Sequence, residues 1–358
     1  MKKILLLLAV LLSTVTMGYS QASFTTGVMG VDVNEYGKIE ILNSAGIYQN
    51  WRTSILVGTS STSVFDYQND AEQNEPTVLV GTPLMSDFEI FGAYDNTYSE
   101  EPPAVVVKLN AYGWTNGGYI IVKFNIKNNE ASTMNAVAGL DIIPYIDEID
   151  GYDSVSYLIG EEVIHIYRGG AETNQGIKLL SGDLTSLYSF EYYDDYYVDS
   201  DYWTWMNYGS LQPLYASDSD FGSVSITAQA PVELAPGESF DVYYAIAVGA
   251  DEQTMLANIA AAADKYESWF GAIGDLDGSS TASRLDQNCP NPFSQTTKIG
   301  YQLNDNGFVS LKVYNSIGKE VAVLVDADQT QGYHIAEFNA GNLPVGMYYY
   351  TLRCNGQV

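Results

Sequence analysis

The run from Tyr188 to Trp205 interleaves six Tyr and two Trp with five acids, Glu191, Asp194, Asp195, Asp199 and Asp201. Flat aromatic faces beside carboxylates suit sugar rings, whose C–H faces stack on an aromatic while their hydroxyls donate to the acids. Tyr197, Asp199, Asp201, Trp203 and Trp205 are therefore the candidate ligand contacts. If this stretch is extended, Trp203 and Trp205 share one face and form a stacking platform. The same composition serves equally well as a loop packed over a sheet, or as a Tyr- and Trp-rich protein-contact surface. Two carboxylates drawn from the set would also meet the first requirement of a glycan hydrolase, but their separation, which decides the matter, is a three-dimensional quantity.

A second group of acids, Asp141, Asp147, Glu148, Asp150 and Asp153, crowds the turn-prone region around Gly151. Oxygen-rich loops are how calcium is held, so Asp141, Asp147, Asp150 and Asp153 are candidate ligands and calcium the candidate ion. Their spacing fits no EF-hand loop, and a run of acids often does no more than solvate a face. Asp275, Asp277, Ser279, Thr281 and Asp286 do follow the EF-hand spacing, yet Ser280 stands where that loop needs Gly and Asp286 where it needs Glu. Their small, polar surroundings read instead as a linker. His165, in Val163–Tyr167, has the setting of a structural strand residue. No Gly-x-Ser-x-Gly, phosphate-cradling loop or dinucleotide fingerprint occurs, which makes the serine hydrolase, kinase and dehydrogenase readings weak. Two His and two Cys in the whole chain leave little for a zinc site.

The elements that must carry these residues are mostly strands. Val105–Leu109, Tyr119–Ile126, Val224–Ala228 and Phe240–Val248 are β-branched and aromatic runs bounded by Gly, Pro and Asn. One helix is expected over residues 251–270, capped by Asp251, with Met255, Leu256, Ile259, Ala263, Tyr266 and Phe270 as its apolar stripe, lying across the end of a sandwich. Lys2, Lys3, the apolar run Ile4–Leu12 and the small residues Ser20 and Ala22 give residues 1–22 the pattern of a secretory signal peptide, cleaved before Gln21 or before Ser23. No later stretch reaches the roughly 20 apolar residues of a membrane helix. Residues 23–273 hold 36 acidic and 8 basic side chains, a net −28, whereas 274–358 hold 8 and 5, a net −3. This places a domain boundary in the linker 274–283. The formal charge of −29 argues against nucleic acid and disfavours anionic membranes as partners, because phosphate neutralisation needs basic patches.

From Arg284 onward, Lys298–Leu303, Val309–Tyr314, Glu320–Val325, His334–Asn339 and Met347–Arg353 alternate as the short strands of an immunoglobulin-like sandwich. Pro290 and Pro292 bar a regular ladder, so Asn288–Phe293 should be a rigid lead-in with Phe293 plugging the core, and Gly318 and Gly346 suit turns with positive φ. Four segments in order, Arg284–Phe293, Val313–Val321, Gly332–His334 and Leu343–Tyr349, resemble the C-terminal sorting domain of the type IX secretion system. Gln287, Asn288, Pro290, Asn291, Pro292, Phe293, Gly318 and Gly346 carry that resemblance. It implies a bacterium of the Bacteroidetes or their relatives, the type IX machinery as partner, and release or attachment at the outer surface. Cys289 stands where the family more often has an aromatic, and the family usually continues beyond Asn355–Val358 through a last basic strand, so the sequence is expected to be truncated. Cys289 and Cys354, the only two cysteines, are a candidate disulfide in an oxidising compartment.

Residues 23–273 also resemble the large β-supersandwich domains found upstream of such sorting domains, through Lys123–Asn128, Gly139–Asp141 and Leu234–Ser239. The expected protein is all-β: a large supersandwich-like β-sandwich (23–273) followed by a small immunoglobulin-like one (284–358). It is exported, and its larger domain is a non-catalytic binding or surface-structural module whose partner is a polysaccharide or a surface protein. The alternative is a carboxylate-dependent glycan hydrolase.

Overall fold

The computed structural model describes residues 21–83, 85–269, 284–285, 288, 293, 295–303, 306–315, 318–341 and 343–355. The leader, the 274–283 linker with its EF-hand-like acids, and Gln287, Cys289, Pro290, Asn291 and Pro292 lie outside the described residues, and with Cys289 one end of the candidate disulfide.

In chain order the strands begin with β1 (Ala22–Thr25), β2 (Met29–Val33), β3 (Ile39–Asn43), β4 (Asn50–Ser60), β5 (Ser63–Phe65) and β6 (Glu72–Leu79). They continue with β7 (Phe88–Asp95), β8 (Val105–Gly113), β9 (Tyr119–Asn128), β10 (Met134–Pro144), β11 (Asp153–Leu158) and β12 (Val163–Arg168). β13 (Asn174–Leu179), β14 (Leu184–Glu191), β15 (Leu214–Ala216), β16 (Ser223–Gln229), β17 (Val232–Leu234) and β18 (Ser239–Gly249) complete the set, with helix α1 (Asp199–Met206) after β14 and α2 (Glu252–Trp269) after β18. All pairings between these strands are antiparallel. One nine-stranded sheet runs β1-β2-β3-β4-β10-β16-β14, with β5 on β4 and β17 on β10; the other runs β15-β11-β12-β13-β18-β9-β8-β7-β6.

Strand period decides what each face does. On β4 and β10, Ile55, Val57, Leu140 and Ile142 point between the sheets and meet Val122, Phe124, Ile177 and Ile246 in the central core. Their neighbours Leu56 and Val137 point to the outer face of the first sheet, where Tyr196, Tyr202 and Met206 cover them. The outer face of the second sheet is covered by α2, through Met255, Ile259 and Ala262. Asp251 accepts from the Thr254 amide at 2.7 Å, the expected cap. The helix lies on that sheet's outer face against β18, not across the end of the sandwich, because Met255 and Ile259 close over Gly176, where no side chain intervenes. Where a helix covers it, each sheet thus buries both faces, which is why β4, β10 and β18 are nearly continuous buried runs.

The C-terminal region forms two three-stranded sheets: β19 (Arg284–Leu285), β20 (Thr296–Leu303) and β23 (Gly332–Asn339), and β21 (Gly307–Asn315) between β22 (Glu320–Gln329) and β24 (Tyr348–Cys354). Ile299, Tyr301, Leu311, Val313 and Phe338 fill the space between them. Phe293 packs edge-on to Phe338 as the expected plug. Gly318 has the expected positive φ, closing a turn onto Asn315. Gly346 does not; it is a bend residue beside the pocket lined by Asn288, Phe293 and Tyr348. No helix among the described residues is long and apolar enough to cross a membrane.

Candidate functional site

The aromatic and acidic segment is not extended. Residues Asp199–Met206 form α1, whose first turn carries Asp199 and Asp201 at the positive end of the helix dipole and whose Tyr202 and Met206, four apart, are buried together. Two residues on a helix turn through roughly 200°, so Trp203 and Trp205 face different neighbours and form no platform. The Trp203 ring lies on the bare backbone of Gly58, where a Cβ would come within 3.0 Å of it. Trp205 stacks on Phe190 at 4.2 Å. Asp199 accepts from the Val64 amide at 3.3 Å, the Tyr197 carbonyl accepts from Asn69, and Asp201 accepts from the Tyr193 hydroxyl at 3.5 Å. These residues strap the helix to the first sheet.

The acids around Gly151 do not converge on an ion either. Asp141 points to the outer face of the first sheet, where Arg52 donates to it at 2.5 Å and the Tyr202 and Tyr196 hydroxyls at 2.8 and 2.9 Å. Asp153 is spent on the amide and hydroxyl of Ser223, and burial raises its pKa. Asp147 accepts from the Glu172 amide, and Asp150 from Trp51 Nε1 at 3.2 Å. Among the described residues no group of three or more His, Cys, Asp or Glu side chains is placed to hold a metal. The four acids named from the sequence are not brought together: alternation along β10 sends Asp141 under α1, away from the turn that holds Asp147 and Asp150. His165 is structural, buried with Nε2 at 2.8 Å from Asn174 Oδ1 and stacked on Tyr167.

What the fold does assemble is a cleft of about 520 Å³, lined by Lys38, Trp51, Arg52, Tyr67, Gln68, Ile143, Pro144, Asp150, Gly151, Tyr192, Asp220 and Phe221. Three local devices build it. Along β10 the partner of Ile143 is Arg52 but that of Pro144 is Asn50, so Trp51 is the extra residue of a β-bulge. A bulge re-aims a side chain. Trp51 leaves the alternation that would have sent it between the sheets, stacks on Tyr145 at 4.6 Å and stays 48% exposed. Secondly, Asp66 folds the turn after β5 by accepting from the Gln68 and Asn69 amides, which presents Tyr67 and Gln68 to the cleft. Burial, and then the neighbouring Asp70 carboxylate, push the Asp66 pKa up to about 7. Thirdly, Gly151 has a positive φ and lies where a Cβ would collide with the Ser219 carbonyl, so only Gly lets this loop close against residues 219–221. Tyr152 completes the join, its amide donating to the Ser219 carbonyl and its hydroxyl to Asp220. Asp150, Asp220 and Phe221, which is 70% exposed, thereby reach one rim.

The floor of the cleft is the buried Arg52 guanidinium. It lies over the Tyr67 and Tyr196 rings, with centroids at 5.5 and 5.9 Å, and donates from Nη1 to Gln68 at 3.2 Å. Burial works against its charge, but Asp141 more than compensates and its pKa stays raised. Burial also raises the Tyr196 and Tyr202 pKa values, so both hydroxyls remain protonated donors to Asp141. Of the guanidinium nitrogens Nε has no partner among the described residues, and it is closed to solvent. Of the candidate contacts and ligands named from the sequence only Asp150 lines this cleft, joined by Gly151 and by Tyr192 of the aromatic run. Trp51, Arg52, Tyr67 and Phe221 carry no sequence signal, since residues scattered over one strand and two distant turns leave no local pattern.

No curated protein sequence matches the chain. Among solved structures, it is similar to a bacterial glucoamylase complexed with acarbose, at 10% identity and a TM-score of 0.52, over 68% of this chain and 34% of that one. The chain thus spans about a third of that enzyme's length, and the likeness is one of fold. Matches extend to a galactose mutarotase-like protein from Lactobacillus casei (10% identity, TM-score 0.35, 64% of this chain and 100% of that). A GalM/aldose epimerase homologue from C. elegans also matches (7%, TM-score 0.39, 65% and 99%). Residues 289–358 match the family described as the secretion system C-terminal sorting domain. The chain therefore carries, over residues 289–358, a type IX sorting domain that marks it for export to the surface or the medium, joined to an all-β sandwich.

Proposed function

We propose that the large sandwich is a non-catalytic glycan-binding module and that the sugar sits in the cleft around Trp51. The observation that carries this reading is the bulged, exposed Trp51, set with Tyr67, Tyr192 and Phe221 around a cavity whose polar groups are Arg52, Gln68, Asp150 and Asp220. The rings stack on C–H faces while the polar groups exchange hydrogen bonds with hydroxyls.

The test is a soluble-polysaccharide binding screen on wild type, Trp51→Ala and Trp203→Ala. Aromatic stacking contributes ~1–3 kcal/mol per ring by analogy with bases on aromatics, so Trp51→Ala should weaken binding about 5- to 150-fold. Its melting temperature should barely move, because the ring is half exposed. Trp203→Ala should do the reverse. Unchanged affinity in Trp51→Ala would remove the cleft as the site. Asp150 and Asp220 line the same cleft, which favours carboxylate-dependent hydrolysis as a second reading. Reducing-sugar release that disappears in Asp150→Asn would establish it. The leader is removed before Gln21 on this reading, since cleavage before Ser23 would take Ala22 from its pairing with Val33 in β1.

A further inference from the structure

We propose that the cleft selects glycans bearing free amino groups, such as a hexosamine with an unacylated amine, over neutral and anionic ones. This rests on the glycan reading above and adds the class of sugar. Both cations at the cleft are already neutralised: Lys38 by Glu40 at 2.8 Å and Arg52 by Asp141 at 2.5 Å. The two rim carboxylates are not. Asp150 accepts only from Trp51 Nε1 and Asp220 only from the Tyr152 hydroxyl, both neutral donors, and neither acid joins an ion pair among the described residues.

The site therefore presents uncompensated negative charge between aromatic walls. An ammonium gains from both: carboxylates give it charge-assisted hydrogen bonds, and the faces of Trp51, Tyr67, Tyr192 and Phe221 attract a cation. A uronate or sulfate ester would meet Asp150 and Asp220 with like charge. The surrounding segment, 36 acids against 8 bases, repels anions and concentrates cations before contact is made.

The experiment is calorimetric titration of the full chain, at mildly acidic pH and physiological salt, with trisaccharides of glucosamine, N-acetylglucosamine, glucose and galacturonate. The glucosamine trimer should bind tightest and the galacturonate trimer weakest. Asp150→Asn and Asp220→Asn should each reduce the ratio of amine to acetyl affinity about fivefold, the upper range of an exposed charge pair. Each removes one charge from a total of −29, so general attraction to an acidic protein cannot account for such a drop. Trp51→Ala should weaken all the trimers that bind. Equal affinity for amine and acetyl trimers, both lost in Trp51→Ala, would overturn the amine preference and leave the glycan reading standing. Binding of no trimer would overturn both. An amine preference that survives all three substitutions would be a property of the acidic surface at large, and would overturn the proposal.

Discussion

Replacing Asp141 with Asn removes the negative half of a buried ion pair and leaves Arg52 behind. Asp141 is 1% exposed and takes hydrogen bonds from Arg52, Tyr196 and Tyr202 at 2.5 to 3.0 Å. The Asn oxygen keeps an acceptor for one hydroxyl, but its amide points a donor at donors. Breaking one partner of such a pair costs ~3–5 kcal/mol, most of it the uncompensated charge that remains. At roughly 2–4 °C per kcal/mol for a domain of this size, the melting temperature should fall by about 6–20 °C. Differential scanning calorimetry of the full chain measures this on the transition of the large sandwich. The double variant Arg52→Met/Asp141→Leu should recover most of the loss, because well-packed apolar replacements of a buried pair are often neutral or better. A single variant melting within about 2 °C of wild type, with no coupling in the double-mutant cycle, would refute the view that these two charges hold each other under α1.

Asp66 predicts a pH dependence of opposite sign to that of an ordinary ion-paired acid. Its folded pKa of about 7 lies above its ordinary 3.8, so across that window the folded protein holds a proton the unfolded chain has lost. Stability should therefore fall as pH rises through the window, by up to roughly 4 kcal/mol, and Asp66→Asn should flatten the decline; parallel curves for the two proteins would be incompatible with this. Trp203→Ala and Trp205→Ala should each cost about 3 kcal/mol of stability, read as a lowered thermal midpoint, since both rings pack into the cover of the first sheet; unaltered midpoints would contradict that packing. Deleting 284–358 should leave the protein in the periplasm, and a truncated chain recovered from the medium would contradict the address carried by the sorting domain.

Strand period, turn residues and capping are local, and they were legible without coordinates. The runs at Val105, Tyr119, Val224 and Phe240 became β8, β9, β16 and β18, Asp251 capped α2, and the C-terminal strands fell where alternation put them. The sorting domain was legible for a different reason: its motifs are short, ordered and confined to one stretch of chain. Segment 199–206 misled because the spacing of two Trp suits a strand while that of Tyr202 and Met206 suits a helix. Only burial against Leu56, Val137 and Ile226 of the first sheet favours the second pattern. The Asp141 carboxylate looked like a neighbour of Asp150 for the same cause. Nine residues apart in sequence, they are divided by the pleat and by the bulge at Trp51, so one goes under a helix to Arg52 and the other to a cleft. The cleft itself draws on residues between 38 and 221, brought together by strands that pair out of chain order. A sequence records which residues alternate and turn; which of them meet is decided by long-range pairing, and that is a property of the folded sheets alone.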